Sequence, residues 1–324
     1  MTKKAAPAAK AKKVYEAESQ VLRSLYFAQN MIDAEKIKVF SHEWTNYPSS
    51  LFEPDHSLDQ GFSMRKGNKA IRASVGNVWT ETATLPSTAE STVLIVDAMA
   101  FIQRNQHMGS TTFSELRQKY LKQLMSNRPP NCNLIHFVGD RYDLPPSENL
   151  KYKKRARREK SGKRKSKEYQ PYDALPVPEW KNFMQNPNNK ANLMNFLGES
   201  WAHQNFPSGC TLILGSVFKD PGRTLLVSHG SEARDLPELS CRRHEEADTR
   251  MFAHMAYSVQ VLGYRRAVVV STDTDVIMMC LKCFYYSSQL PGLEQLWMQK
   301  MGVYVPVHAA VSYTHLTLPT KRIV

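Results

Sequence analysis

From residue 91 onward the chain alternates between two hydrophobic patterns. STVLIVDAMAFIQ opens with a short apolar run that ends in an acid, Asp97. Such a run predicts a strand buried on both faces. SELRQKYLKQLM has apolar positions at helical spacing. CNLIHFVGDRYD repeats the buried-strand pattern and also ends in an acid, Asp140. NKANLMNFLGESWAHQ predicts another helix, and CTLILGSVF and RTLLVSH predict two short strands. HEEADTRMFAHMAYSVQVLGY predicts a helix opening on Glu245, Glu246 and Asp248, with Gly263 suited to its stop. RRAVVVSTDTDVIMMCL predicts a third strongly apolar strand that again ends in acids, Asp273 and Asp275. Strands alternating with helices place the chain in the α/β class, with a mostly parallel sheet flanked by helices on both faces. Sites in such sheets form beyond the carboxyl ends of the strands, where these acids fall.

The remaining chain is less regular. Residues 14–90 form an N-terminal extension, with a helix expected from Tyr15 to Ile37 and then a loop-rich stretch. Arg65, Lys66 and Lys69 there read as solvated surface. With 324 residues and 42% hydrophobic content, the chain is able to bury a sizeable core. No stretch reaches the roughly 20 apolar residues of a membrane span. The first 13 residues have no apolar segment of the secretory type, so an intracellular, nuclear location without membrane contact is expected. The five cysteines have no disulfide spacing and read as reduced thiols. Cys280 and Cys283 form a single CxxC, which reads as core packing rather than half a zinc site.

Charge adds a further feature. Of the net charge of +13, residues 1–13 carry +5 and residues 151–168 carry +9, which leaves the rest of the chain at −1. The basicity is thus two local runs on a near-neutral globule. The first reads as a disordered tail. The second is a candidate polyanion-binding arm, spanning 150–168, with a nuclear-import loop as the alternative or an added use.

A single acid after a strand is ordinary, because Asp caps helices and starts turns. Three strands delivering acids to one sheet edge, with more at a helix start, form a constellation. Carboxylates gathered without cations would repel one another and resist ionisation. Hard divalent cations with oxygen ligands, Mg²⁺ or Mn²⁺, compensate them best. Two such ions can serve phosphodiester hydrolysis, in which charge develops on the attacking and leaving oxygens. His244 beside the acids reads as a helix-start or surface residue.

VLIVDAMAFI resembles the first acidic motif of flap-endonuclease (XPG-type) nucleases within the PIN-like superfamily. FVGDRYDLPP resembles their second motif. Glu246-Ala247-Asp248 and Asp273-Thr274-Asp275 resemble their helix-start and strand-end motifs, in the family's order across residues 91–285. The phrases HEEADTR and TDTDV also resemble those of a group of animal proteins, often multicopy. The resemblance implies a PIN-like nuclease domain over 91–310. It implies that Asp97, Asp140, Glu246, Asp248, Asp273 and Asp275 bind two Mg²⁺ or Mn²⁺ ions, directly or through water, and carry the catalysis. Glu245 lies outside the motif match.

In that family a basic helical segment after the second motif clamps the substrate strand. KYKKRARREKSGKRKSK occupies that slot. Lys151, Lys154, Arg155 and Arg158 are the candidate nucleic-acid contacts, with DNA expected in preference to RNA. Tyr152 and Tyr169 suit packing better than base stacking. The family's further Gly-x-Asp motif has no counterpart here. Residues 311–324, VSYTHLTLPTKRIV, resemble translated sequencing-adaptor sequence, so the domain is expected to be cut short near Ala310. A structural part of a transposon machinery is one open reading, which makes no residue-level prediction, and two others stay open beside it. One is a non-catalytic nucleic-acid-binding module. The other is a haloacid-dehalogenase-like phosphatase, since Asp273-Thr274-Asp275-Val276 resembles that family's nucleophile motif, although it comes late in this chain.

Overall fold

The computed structural model describes residues 81–141, 167–204, 206–242, 244, 246–285, 290–300 and 302–309. All belong to one compact unit, Val75–Val324. The expected helix at 15–37, Arg65, Lys66 and Lys69 lie outside the described residues. So do the tails at 1–13 and 311–324, Glu245, and the basic arm up to residue 166 with Lys151, Tyr152, Lys154, Arg155 and Arg158.

The described residues form an eight-stranded mixed sheet. Its strands are β1 (Thr92–Asp97), β2 (Cys132–Val138), β3 (Thr211–Gly215), β4 (Thr224–Ser228), β5 (Arg234–Asp235), β6 (Arg266–Val270), β7 (Gln295–Lys300) and β8 (Val303–Pro306). The order is β5-β4-β3-β2-β1-β6-β7-β8. The five central strands, β3 to β7 in space, are parallel, and β4, β5 and β8 run antiparallel to their neighbours. Winding leaves β1 in one direction to reach β2 and β3, then returns to its other side at β6. The carboxyl ends of β1 and β6 are therefore the switch point of the sheet, the place where open α/β sheets form their ligand crevice.

Helices cover both faces. One layer contains α1 (Ala98–Asn105), α2 (Phe113–Ser126), the short α3 (Trp180–Phe183) and α4 (Pro187–Ala202). It packs Phe101, Leu116, Tyr120, Leu197 and Trp201 onto Leu94, Val96, Ile135 and Phe137. The other layer contains α5 (Ala247–Gln260) and α6 (Thr274–Tyr285), which place Met251, Met255, Val259, Val276 and Cys280 against Val93, Ile95, Leu134 and Val138. Alternate residues of each central strand thus enter opposite cores, which explains why those strands are apolar throughout.

Three sequence expectations change in detail. The third strand ends at Val270, and DVIMMCL belongs to α6 rather than to a strand. The CxxC is accordingly helical, with Cys280 buried and all five cysteines free. Residues before 91 also join the domain, since Thr82 bridges to Tyr304 and Leu85 is buried. Tyr169 packs on the Phe183 ring, with centroids 5.9 Å apart, and Lys167 lies over its face.

Arg250 fixes the approach to α5. Its side chain is 1% exposed, and its Nε and Nη2 donate to the His244 carbonyl at 2.9 and 2.8 Å. Its Nη1 donates to the Pro221 carbonyl at 3.1 Å. A lysine has one point charge and no fork to span both carbonyls. Arg250→Lys is expected to cost about 2 kcal/mol through unmet buried acceptors, measured by urea denaturation.

Candidate metal centre

The acids reach the crevice on three kinds of support. Asp97 is the last residue of β1 and also caps α1: its Oδ1 accepts from the Ala100 N–H at 2.9 Å. Its Oδ2 accepts from the Ser271 hydroxyl at 3.2 Å, across the switch point at the end of β6. Asp140 follows β2 by two residues, and its Oδ1 accepts from the Ala247 N–H at 2.7 Å. That amide opens α5, whose N-cap residue Glu246 makes no capping bond of its own. Asp248 lies in the first turn of α5. Asp273 stands between β6 and α6, where its Oδ1 accepts from the Asp275 N–H at 3.0 Å. Three helix starts therefore face the crevice, and each brings backbone N–H groups and the positive end of a helix to the acids.

The electrostatics follow from this crowding. Asp97 is 9% exposed, and burial first, then the charge of Asp140, raise its carboxyl to about 6 against hydrogen bonds that pull the other way. Asp248 is pushed up to about 7, by burial first and then by Asp97, Asp273, Asp140 and Glu246. Asp97, Asp140, Glu246, Asp248 and Asp273 thus form one interacting group. Asp275 is exposed on α6 and is not among the charges acting on Asp248 or Asp97. The six residues expected from the sequence divide into five that converge and one on the rim.

Among the described residues no group of three or more His, Cys, Asp or Glu side chains is arranged to hold a metal ion. The carboxylates feel one another, yet they do not close on a single point. The hydrogen bonds give the reason. Asp97, Asp140 and Asp273 each turn an oxygen toward a helix-start amide. The donor set itself suits Mg²⁺ or Mn²⁺, being all-oxygen, anionic and partly desolvated. Its fit requires those carboxylates to rotate from amide to ion.

Sequence reasoning missed two arginines at this edge. Arg141, next to Asp140, donates through Nη1 to the Arg242 carbonyl. Arg242 in turn binds both Asp220 oxygens, at 3.3 and 3.1 Å. The only sequence signal was the adjacency of Arg141 to an acid already singled out.

It also missed a buried polar cluster beneath the site. His136 of β2 and His254 of α5 meet Nδ1 to Nδ1 at 2.8 Å, with ring planes at 88°. Ser258 Oγ lies 2.9 Å from His136 Nε2 and 2.9 Å from the His254 carbonyl. Burial pushes both imidazoles below the ordinary histidine value, His254 to about 3. The charge of His254 adds to the effect at His136, and that of Arg250 adds to the effect at His254.

The sign of the pH effect is fixed by this neutrality. The unfolded chain takes up a proton on each histidine below about pH 6.5, whereas the folded chain does not. The stability due to this pair is complete above that pH and is lost as pH falls toward His254's value near 3. His254 contributes a slope of at most about 1.4 kcal/mol per pH unit in that window, and His136 acts in the same direction. Relative to the His136→Leu/His254→Leu double variant, the wild type is expected to lose at least about 1 kcal/mol per unit between about pH 6 and pH 4. Urea denaturation at stepped pH reads the gap, and a constant gap would contradict the buried neutral pair.

Comparison with family models, with curated proteins and with solved structures finds no match to this chain. Among the described residues no helix is long and apolar enough to cross a membrane.

Proposed function

We propose that the chain is a divalent-metal-dependent nuclease of the flap-endonuclease type, hydrolysing phosphodiester bonds at the carboxyl edge of its sheet. One observation carries this reading: five carboxylates from β1, the turn after β2, the start of α5 and the β6–α6 turn interact at the switch point, where burial first and their charges second raise Asp248 to about 7. Such a cluster is poorly matched to solvent alone and well matched to hard cations.

Asp97, Asp140 and Asp248 are the residues that would hold two Mg²⁺ or Mn²⁺ ions, with Glu246 and Asp273 beside them and Asp275 acting from the rim, directly or through water. Bound there, the cations supply Lewis acidity, stabilising charge on the attacking and leaving oxygens and easing ionisation of the attacking water. The chain's own residues prepare the site. Ser271 and the Ala100 amide orient Asp97. The Ala247 amide orients Asp140. The three helix starts favour a phosphate near the acids. Arg141 holds a fixed cation at the edge, where a phosphate of the substrate strand would lie. Lys151, Lys154, Arg155 and Arg158, outside the described residues, are the further contacts proposed for the strand from the sequence.

The absence, among the described residues, of a closed three-ligand group favours a second reading, a non-catalytic nucleic-acid-binding module. Cleavage of labelled branched and single-stranded DNA and RNA with Mg²⁺ or Mn²⁺ separates the two. The nuclease reading expects cutting by the wild type and none by Asp140→Ala, with binding retained in both. Asp275→Ala is expected to be impaired less than Asp140→Ala, because Asp275 stands on the rim. Binding without cleavage in every sample would support the module instead.

A further inference from the structure

We infer that the His136–His254–Ser258 cluster sets the register of α5 against β2 and so positions Asp248 and Glu246 over Asp140; this rests on the metal-site reading above. None of the three touches the crevice. Their role is exerted through the helix that carries its acids.

The apolar packing leaves the axial position of α5 undetermined. α5 presents Met251, Met255 and Val259 to the sheet. Methionine is unbranched and adaptable, so such a face fixes proximity better than axial position. A hydrogen bond between buried groups is directional and fixes both. Three polar ties join α5 to β2 and the residues that follow it: Ala247 N–H to Asp140 at the crevice, and His254 and Ser258 to His136 further down. From His136 to Asp140 the strand rises about 13 Å, and from Ala247 to His254 the helix covers about 10 Å. The ties therefore brace the same stretch of the two elements from both ends. The lower ties are indifferent to metal, because they do not involve a ligand. They hold the helix in place when Asp140 turns from the Ala247 amide toward an ion.

Two further observations show that this position is set closely. A Cβ at Gly215 of β3 would lie 2.6 Å from His254 Cε1 and 2.7 Å from its Nε2, so the ring fills the space that glycine leaves. His254 Nε2 is also buried with no hydrogen-bond partner. An unmet buried polar atom is destabilising, and an apolar pair of similar size would remove it. Stability alone does not account for histidines here, whereas register does. The proton between the two Nδ1 atoms also fixes the chemistry of a substitute. Asparagine keeps a polar atom at the δ position and can maintain the tie. Glutamine places its polar atoms one bond further out and cannot.

The test uses the full chain with Mn²⁺ alone as probe, read by titration of binding and by thermal unfolding. Asp248→Asn is the control for a lost ligand. The His136→Leu/His254→Leu variant is expected to melt no lower than the wild type, yet to bind Mn²⁺ about tenfold more weakly, the scale for removing support behind a ligand. His254→Asn should stay within about threefold of the wild type, and His254→Gln should be as weak as the double variant. Opposite movement of stability and affinity is a result that a merely structural pair would not give. Wild-type affinity in the double variant overturns the inference while leaving the metal site standing. If that variant does not fold, equal affinities for His254→Asn and His254→Gln overturn it instead. A wild type that binds no more Mn²⁺ than Asp248→Asn overturns the metal reading and this inference with it.

Discussion

Asp248→Asn is expected to reduce Mn²⁺-dependent cleavage by about 10²- to 10³-fold, the scale for removing one group that supports transition-state charge. The same change should make the metal-free protein more stable. Burial and the charges of Asp97, Asp273, Asp140 and Glu246 push the Asp248 carboxyl up to about 7. Above that pH its ionised form is disfavoured in the folded chain and free in the unfolded one. Asparagine removes the repulsion and keeps the shape. After allowance for the part of Asp248 that reaches solvent, the gain is about 1–2 kcal/mol at pH 8 in chelator. Mn²⁺ should then raise the melting temperature of the wild type and leave Asp248→Asn unmoved, because only a state that binds the ion is stabilised by it. Melting curves with chelator and with Mn²⁺, beside cleavage rates, check all three parts.

Gly139→Ala is the second large effect, and it acts on position rather than charge. Gly139 joins β2 to Asp140, and its N–H donates to the Gly215 carbonyl at 2.9 Å. A Cβ there would meet the Ser216 carbonyl oxygen at 2.7 Å. That oxygen is backbone, and Ser216 already sits at a φ of 57°, which is unfavourable for a residue with a side chain. The ends of β2 and β3 must therefore part, and Asp140 moves with them. The expected cost is about 2–3 kcal/mol of stability. Cleavage should fall about 10²-fold, as a displacement near 1 Å can produce. Cooling should restore the fold and not the rate, which distinguishes displacement from simple unfolding.

The central strands were legible because apolar runs that end in acid have one economical reading in an α/β chain. Asp97, Asp140 and Asp273 were placed at the correct edge for that reason. α6 was not legible as a helix, because DVIMMCL is apolar at nearly every position and short apolar runs show no period. Asp275 was grouped with Asp273 by spacing, but the helix that begins at Thr274 carries it out to the rim. The antiparallel β4, β5 and β8 had no signal of direction in their side chains. His136 and His254 are 118 positions apart, and each stands within an apolar pattern of its own. His136 shares a strand face with Leu134 and Val138, and His254 shares a helix stripe with Met251 and Met255. Only the packing of α5 on β2 brings them together. The hydrogen bonds that turn the acids toward helix starts were equally hidden, since capping depends on where each helix begins.

Crystals of the full chain grown with Mn²⁺, measured at a wavelength where manganese scatters anomalously, address the carboxylate site most directly. The account predicts anomalous density within coordination distance of Asp97, Asp140 and Asp248, with the Asp140 carboxylate turned away from the Ala247 amide. Manganese bound only elsewhere, with Asp140 still on that amide, would contradict it.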